Sequence, residues 1–278
     1  MSNKAIRNGV IAVIALAVFL SIGIGGYMVK ASEVRENQDT SSLGWEKLST
    51  MKIYFGHQSV GYNIMAGVDD LARKNEMLAI NIKETNDPAD FNQPVFAHSL
   101  VGRNEDPLFK INNFKEIIDS GIGNKVNIAF FKFCYVDITR ETDLNSLFDS
   151  YVQAMEYLVF AYPQVTFLYV TVPVRVKPAG IKNKIRNILN ISGPDLEDGL
   201  ARNRFNIMMR NKYGRTGKLF DLAKYESFYA HETIDQIKQK EMFLISAYSN
   251  DGKHLNAYGR EVIAGQLLLF LSSLSSKQ

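Results

Sequence analysis

From Met51 onward the chain alternates short apolar runs with longer stretches in which apolar residues recur every three to four positions. Lys52–Phe55, Leu78–Lys83, Val126–Phe133, Val165–Val172 and Lys218–Leu222 have the length and texture of strands. Tyr62–Asn75, Asp106–Ser120, Leu144–Tyr162, Leu196–Tyr213 and a last stretch from about Ala257 to Ser273 carry helical spacing. Strands that alternate with helices predict an α/β fold. The expected form is a three-layer, doubly wound parallel sheet of about five strands, covered on both faces. Two stretches, Thr85–Asn104 and Glu226–Asn250, exceed ordinary connections, and loops of that length build or cover sites.

The N-terminal pattern is different. Lys4 and Arg7 precede an uncharged run from Asn8 to Val29, densest in apolar residues between Val10 and Ile24. A bilayer takes roughly 20 such residues to span. Positive charge ahead of the run predicts an uncleaved signal anchor with its N-terminus inside. Val29-Lys30-Ala31 is a poor small-x-small cleavage site, and use of it after Ala31 gives a secreted form instead. In both cases the body of the chain is exported and faces the extracytoplasmic side of the cell membrane. The expected division is a cytoplasmic stub and anchor over 1–31, a polar linker over 32–50 and one domain over 51–278.

Charge narrows the partners. Lys4, Arg7 and Lys30 account for the whole excess of 32 Lys and Arg over 29 Asp and Glu, so the exported body is neutral. A neutral body argues against nucleic-acid binding. The lone Cys134 rules out an intramolecular disulfide and a cysteine-based zinc cluster. His98 and His231 lack carboxylates at ligand spacing, so neither a metal nor a cofactor is expected. Arg175, Lys177, Lys182, Lys184 and Arg186 meet no acid. They form either a solvated face or a contact for an anionic partner, phospholipid headgroups or an acidic polysaccharide.

Sites in an open parallel sheet form outside the carboxyl ends of its strands. That rule selects Gly56–Gly61, Cys134–Asp137 and Pro173–Lys177. In Gly56-His-Gln-Ser59, the serine lies just past the first strand at the start of a helix. Ser59 either caps that helix or presents its Oγ as a nucleophile beside free backbone N–H groups. Asp251-Gly-Lys-His254 opens the last helix, and the two side chains either cap and solvate it or form an acid–base pair. Together, a serine at the first strand end and an Asp-x-x-His turn at the last loop reach the same edge of the sheet, as nucleophilic serine catalysis requires. Gln58 is a candidate to line that site, and His57 either orients it or contacts substrate, or is a packed, hydrogen-bonded histidine beside the first strand. Asp137 either holds the loop around Ser59 or caps the next turn. Lys132 is either a surface position or a charge aimed at the site, Cys134 a buried small residue, and Asp221 a structural carboxylate.

With Gly-His-Gln-Ser59 and Asp251-Gly-Lys-His254-Leu-Asn in these positions, the chain resembles the SGNH/GDSL hydrolase superfamily over about Met51 to Leu274. The resemblance implies a flavodoxin-like sheet with Ser59 as nucleophile, His254 as general base and Asp251 as the orienting carboxylate. It also implies an oxyanion hole from the N–H groups of Ser59 and Gly102. Two departures stand out: the family's Gly-Asp-Ser is Gly-His-Gln-Ser here, and Val136 stands where the family has an asparagine. Asn104 is expected to replace that donor; alternatively, the loop merely turns at Gly102 and caps a helix at Asp106-Pro107. The implied activity is hydrolysis of ester-bound acyl groups, with O-acetylated envelope or extracellular polysaccharide as substrate. Two alternatives stay open: an inactive glycan- or partner-binding module, and a membrane lipid esterase or thioesterase.

Overall fold

The computed structural model describes residues 45–76, 78–177, 193–227 and 242–275. Its centre is β1 (Lys52–His57), whose residues after Lys52 are all buried. It runs parallel to β3 (Val95–Leu100) on one side and to β4 (Ile128–Phe131) on the other. The short β2 (Ile82–Glu84) forms one edge next to β3, and β5 (Thr166–Phe167) lies beyond β4. The five-stranded order is thus β2-β3-β1-β4-β5, parallel throughout. After Leu168 the chain changes neighbour: β6 (Tyr169–Val170) pairs with β7 (Leu219–Phe220) in a separate two-stranded ladder.

Period-two alternation sorts the strand side chains into two cores. Ile53 and Phe55 of β1 and Ile128 and Phe130 of β4 point to one face. There they meet α1 (Val60–Lys74) through Ile64 and Val68, and α6 (Ala257–Ser275) through Ile263, Leu267 and Leu271. Tyr54, Ala129 and Phe131 point the other way, onto α2 (Pro107–Asp119), α3 (Leu144–Ala161) and α4 (Pro194–Tyr213). A sixth segment, α5 (Leu222–Ser227), packs with α6 on the first face. Two covered faces explain why the strands are apolar throughout rather than alternating.

The helices follow the sequence expectation closely; two strands do not. Most of Leu78–Lys83 is not strand, and only Ile82 and Lys83 of it enter β2. The strand that pairs with β1 is Val95–Leu100, inside the stretch expected to be a long loop. Its run Val-Phe-Ala-His-Ser-Leu is short and lies behind Pro88, Asn92 and Pro94, which read as turn residues, and tertiary pairing overrides them. Much of the other long stretch, Glu226–Asn250, lies outside the described residues, as do His231, Lys182, Lys184, Arg186 and the segment from Asn8 to Val29. Among the described residues no helix is long and apolar enough to cross a membrane.

Candidate active site

β1 ends at His57, and two residues later Ser59 adopts φ 42° and ψ −100°, a left-handed conformation that costs a side-chain-bearing residue about 1–3 kcal/mol. Ser59 occupies the N-cap position of α1, yet its hydroxyl makes no capping bond. Instead Oγ lies 2.7 Å from His254 Nε2. The strain therefore aims the hydroxyl away from the helix it precedes. The turn engages the N–H groups of Gly61 and Tyr62, on Gln58 and Ser59 carbonyls. Those of Ser59 and Val60 remain at the helix start, where no intrahelical acceptor exists.

The opposite partner is built by turn chemistry. Asp251 Oδ1 accepts from the backbone N–H groups of Lys253 and His254, each at 2.8 Å, and from Ser249 Oγ at 3.1 Å. Gly252, at φ 76°, allows the chain to double back. Leu255 is buried in the core, and Asn256 Oδ1 caps α6 by accepting from Gly259 N–H at 2.9 Å. This turn sets His254 Nδ1 2.7 Å from Asp251 Oδ2. The bonds from the His254 backbone and ring, joined by Lys253 N–H and Ser249, hold the Asp251 carboxyl well below the usual carboxylate range. With Asp251 ionised, Nδ1 carries the imidazole proton and donates it to Oδ2. Nε2 is then left to accept the Ser59 hydroxyl. Ser59, His254 and Asp251 thus stand in one hydrogen-bonded line, the order that a nucleophile, a base and an orienting acid would take.

The other expected site residues fall into different roles. His57 takes the packed, hydrogen-bonded role of its two expected ones and is not a site-lining residue: it is fully buried beneath α1, its Nε2 2.9 Å from His98 Nδ1, its ring packed between those of Phe55 and Tyr62. Burial first, then the charge of Lys132 and the nearby His98, push His57 down to about 2, so it is neutral. A β-carbon on Gly61 would come within 2.3 Å of the His57 ring, which explains a glycine in the first turn. Gln58 donates from Nε2 to Gly102 O at 2.8 Å and so staples the Ser59 turn to the loop after β3.

Gly102 is a second correction. Its N–H donates to Asn113 Oδ1 at 2.8 Å, and with that acceptor in place it is not a free oxyanion donor. Its φ of 59° and the 2.6 Å that a β-carbon would leave to Lys110 Cα account for the glycine on packing grounds alone. Asn104 lies exposed in the same loop, with Oδ1 3.3 Å from Lys110 Nζ. Asp137 is a buried hub: Oδ2 accepts from Lys110 Nζ and from Cys134 N–H (2.6 Å), Oδ1 from Glu105 N–H (2.9 Å). It pins the loop after β3 to the loop after β4. Lys132 is not at the surface; it is 1% exposed, with Nζ 3.3 Å from Phe133 O and 3.5 Å from Cys134 Sγ. Asp221 is bound by Arg210 through two bonds of 2.7 Å.

Sequence reasoning overlooked Tyr135, Lys110, Asn113 and Arg202. The Tyr135 ring lies 6.3 Å from that of His254 and forms part of a cleft of about 510 Å³ with Glu105, Thr139, Thr142, Arg175 and Arg202. A lysine amid the apolar positions of α2 was the available signal for Lys110, since the helical spacing places it on the buried face.

No family model matches the chain, and no curated protein matches it. Among solved structures, one described as a platelet activating factor from Streptococcus pneumoniae overlays with a TM-score of 0.47 at 14% identity, covering 87% of this chain and 99% of that one. One described as a lipolytic protein of the G-D-S-L family from Desulfitobacterium hafniense overlays at 0.43 and 8%, covering 79% and 99%. A salicylyl-acyltransferase from a tetracycline biosynthetic pathway overlays at 0.36 and 9%, covering 81% of this chain and 55% of its own. At these values none of the three bears on the chemistry, which rests on the chain's own geometry.

Proposed function

We propose that this chain is a serine hydrolase of ester bonds, of the SGNH type, working through an acyl-enzyme without a cofactor. The observation that carries the reading is the line Ser59 Oγ, His254 Nε2, His254 Nδ1, Asp251 Oδ2, with 2.7 Å at each hydrogen bond, on a serine whose backbone is strained to make it. Oγ attacks the ester carbonyl carbon while His254 takes the hydroxyl proton, and Asp251 stabilises the imidazolium. The oxyanion is received by the N–H groups of Ser59 and Val60 at the start of α1, with Asn104 Nδ2 as a side-chain donor, its Oδ1 being held by Lys110. His254 then returns the proton to the departing alcohol. Water attacks the acyl-Ser59 carbonyl with the same histidine as base, which releases the acid. The location ahead of this chemistry is an exported, membrane-tethered domain, supported by Lys4, Arg7 and the apolar run behind them. Such a location makes an O-acetylated envelope or extracellular polysaccharide the substrate class.

A fluorophosphonate probe tests the reading. Wild type is expected to label at Ser59, and Ser59→Ala and His254→Ala are expected not to. A folded wild-type protein that never labels removes the hydrolase. One observation favours a non-catalytic binding module instead: Asn113 occupies the Gly102 N–H, and Val136 offers no side-chain donor. The same labelling experiment decides between them.

A further inference from the structure

The cleft beside the candidate triad holds two guanidinium groups whose charges are poorly answered. Arg202, on α4, is 4% exposed, and its Nη1 donates only to backbone carbonyls, Tyr135 O at 2.9 Å and Ile138 O at 3.5 Å. Among the described residues no carboxylate makes an ion pair with it. Arg175, on the chain after β6, has Nη1 3.3 Å from Asp195, an acid that is itself mostly exposed, while its Nε is buried and without a partner among the described residues. The Arg175 charge is close enough to disfavour that of Arg202. Burial first, then the Arg175 charge, bring Arg202 down to about 10, against the smaller opposing pull of Asp198, Asp195 and Tyr135. Two like charges brought together out of water are costly unless an anion joins them.

The acids of the cleft are largely occupied elsewhere. Asp137 is held by Lys110 and two backbone N–H groups, and Asp198 bonds Arg140 while its charge reaches Arg202 without an ion pair, which leaves Glu105 unengaged by either arginine. Tyr135 joins this place to the reacting centre. Arg175 Cζ stands 5.4 Å from its ring centroid, and the His254 ring stands 6.3 Å from it on the candidate catalytic side. Val176 N–H also donates to Gly252 O at 3.1 Å, which ties the segment of Arg175 to the Asp251 turn.

We infer that Arg175 and Arg202 form a subsite for a carboxylate or phosphate on the alcohol portion of the ester, with the Tyr135 ring as its floor. The polar walls, Thr139, Thr142 and Glu105, suit a hydrophilic alcohol and not a long acyl chain. A guanidinium pair reads either anion through paired N–H···O bonds. This inference deepens the hydrolase reading and rests on it for the word ester, but not for the anion.

Matched aryl acetates test it: phenyl acetate, 3-carboxyphenyl acetate, 3-phosphonooxyphenyl acetate and 3-(trimethylammonio)phenyl acetate. The wild type is expected to favour one of the two anionic esters over phenyl acetate by about tenfold in kcat/KM, expressed in KM, and to disfavour the cationic one. The two anionic arms distinguish a carboxylate from a phosphate. Arg175→Gln, at a half-buried position, is expected to collapse the anionic-to-neutral ratio towards one, and added salt to shrink it. Arg202→Lys, which keeps the charge but loses the fork, is expected to retain part of it. In parallel, saturation-transfer NMR on Ser59→Ala compares binding of 3-carboxyphenyl acetate and 3-phosphonooxyphenyl acetate with that of phenyl acetate. If no ester is turned over but the Arg175-dependent difference in binding persists, the anion subsite stands and the hydrolase falls. If esters are turned over with equal efficiency, or the cationic one is preferred, the subsite is overturned while the hydrolase stands. If Arg175→Gln leaves an anionic preference untouched, the assignment to these two residues is overturned.

Discussion

Oδ1 of Asp251 holds the backbone N–H groups of Lys253 and His254, while Oδ2 faces the imidazole. That division determines what an Asp251→Asn change does. An asparagine Oδ1 still accepts the two N–H groups, so the turn survives. Its Nδ2, however, now faces His254 Nδ1, which must become the acceptor. The imidazole proton then moves to Nε2, the atom that would receive the Ser59 proton in the proposed reaction. Catalysis by the wrong tautomer is slower by up to about 10⁴-fold in kcat. The expected outcome is a loss of about 10²–10⁴ in kcat and in fluorophosphonate labelling rate, with an unchanged circular dichroism melt. Labelling at the wild-type rate would remove Asp251 from the reaction. This part of the site was legible in the chain because it is local: an Asp-x-x-His turn carries its own hydrogen bonds, and a serine after a strand carries its own strain. Arg202 and Tyr135 were not legible, because each acquires its role from a contact with an element distant in sequence, and Asn113 because its acceptor role depends on how the loop after β3 folds onto α2.

At the scale of elements, the five helices expected from apolar spacing appear within a few residues of their expected bounds, because the side each one buries is written every three to four residues. Strand pairing leaves a weaker trace. β3 was hidden by the turn residues ahead of it, and one apolar run, Val165–Val172, becomes two strands because its pairing partner changes at Leu168. The loops after β3 and β4 are equally illegible, since what joins them is a buried ion pair. Lys110 and Asp137 have fully buried side chains, and neither is visible as a pair from a spacing of 27 positions. Removing one member is worse than removing both. Asp137→Ala leaves Lys110 buried with only Asn104 Oδ1 nearby, and is expected to cost about 3–5 kcal/mol in urea unfolding. Lys110→Met alone is expected to cost less, because Asp137 keeps the Cys134 and Glu105 N–H groups. The double substitution Lys110→Met with Asp137→Leu should recover part of the loss. Equal costs for both single changes would show that the Cys134 and Glu105 N–H groups do not offset the loss of Lys110.

At the scale of the molecule, the candidate reacting edge lies above a set of buried titratable groups. Lys132 follows β4, His57 ends β1, and Glu226 ends α5; Lys132 exerts its charge on both of the others. Glu226 is the strongest case. It is 1% exposed, and one oxygen accepts Val174 N–H at 2.7 Å, which ties α5 to the segment after β6 that leads into Arg175. Burial pushes its carboxyl up to about 8, against the smaller pull of the Val174 N–H and of Lys132. The unfolded chain releases this proton near pH 4.3. Between that value and about pH 8 the folded state therefore binds one more proton than the unfolded state, and stability falls as pH rises through the window. Above it the loss is complete and the curve flattens. Each unit of difference corresponds to about 1.4 kcal/mol, so the full difference is on the order of 5 kcal/mol. Glu226→Gln keeps an oxygen for Val174 N–H and cannot ionise. Urea unfolding of wild type and Glu226→Gln at pH 5 and pH 8.5 isolates the effect from every other titrating group. The wild type is expected to lose stability relative to the variant across that interval. Parallel pH profiles for the two proteins would mean that Glu226 is already ionised at low pH, with Lys132 rather than burial governing it.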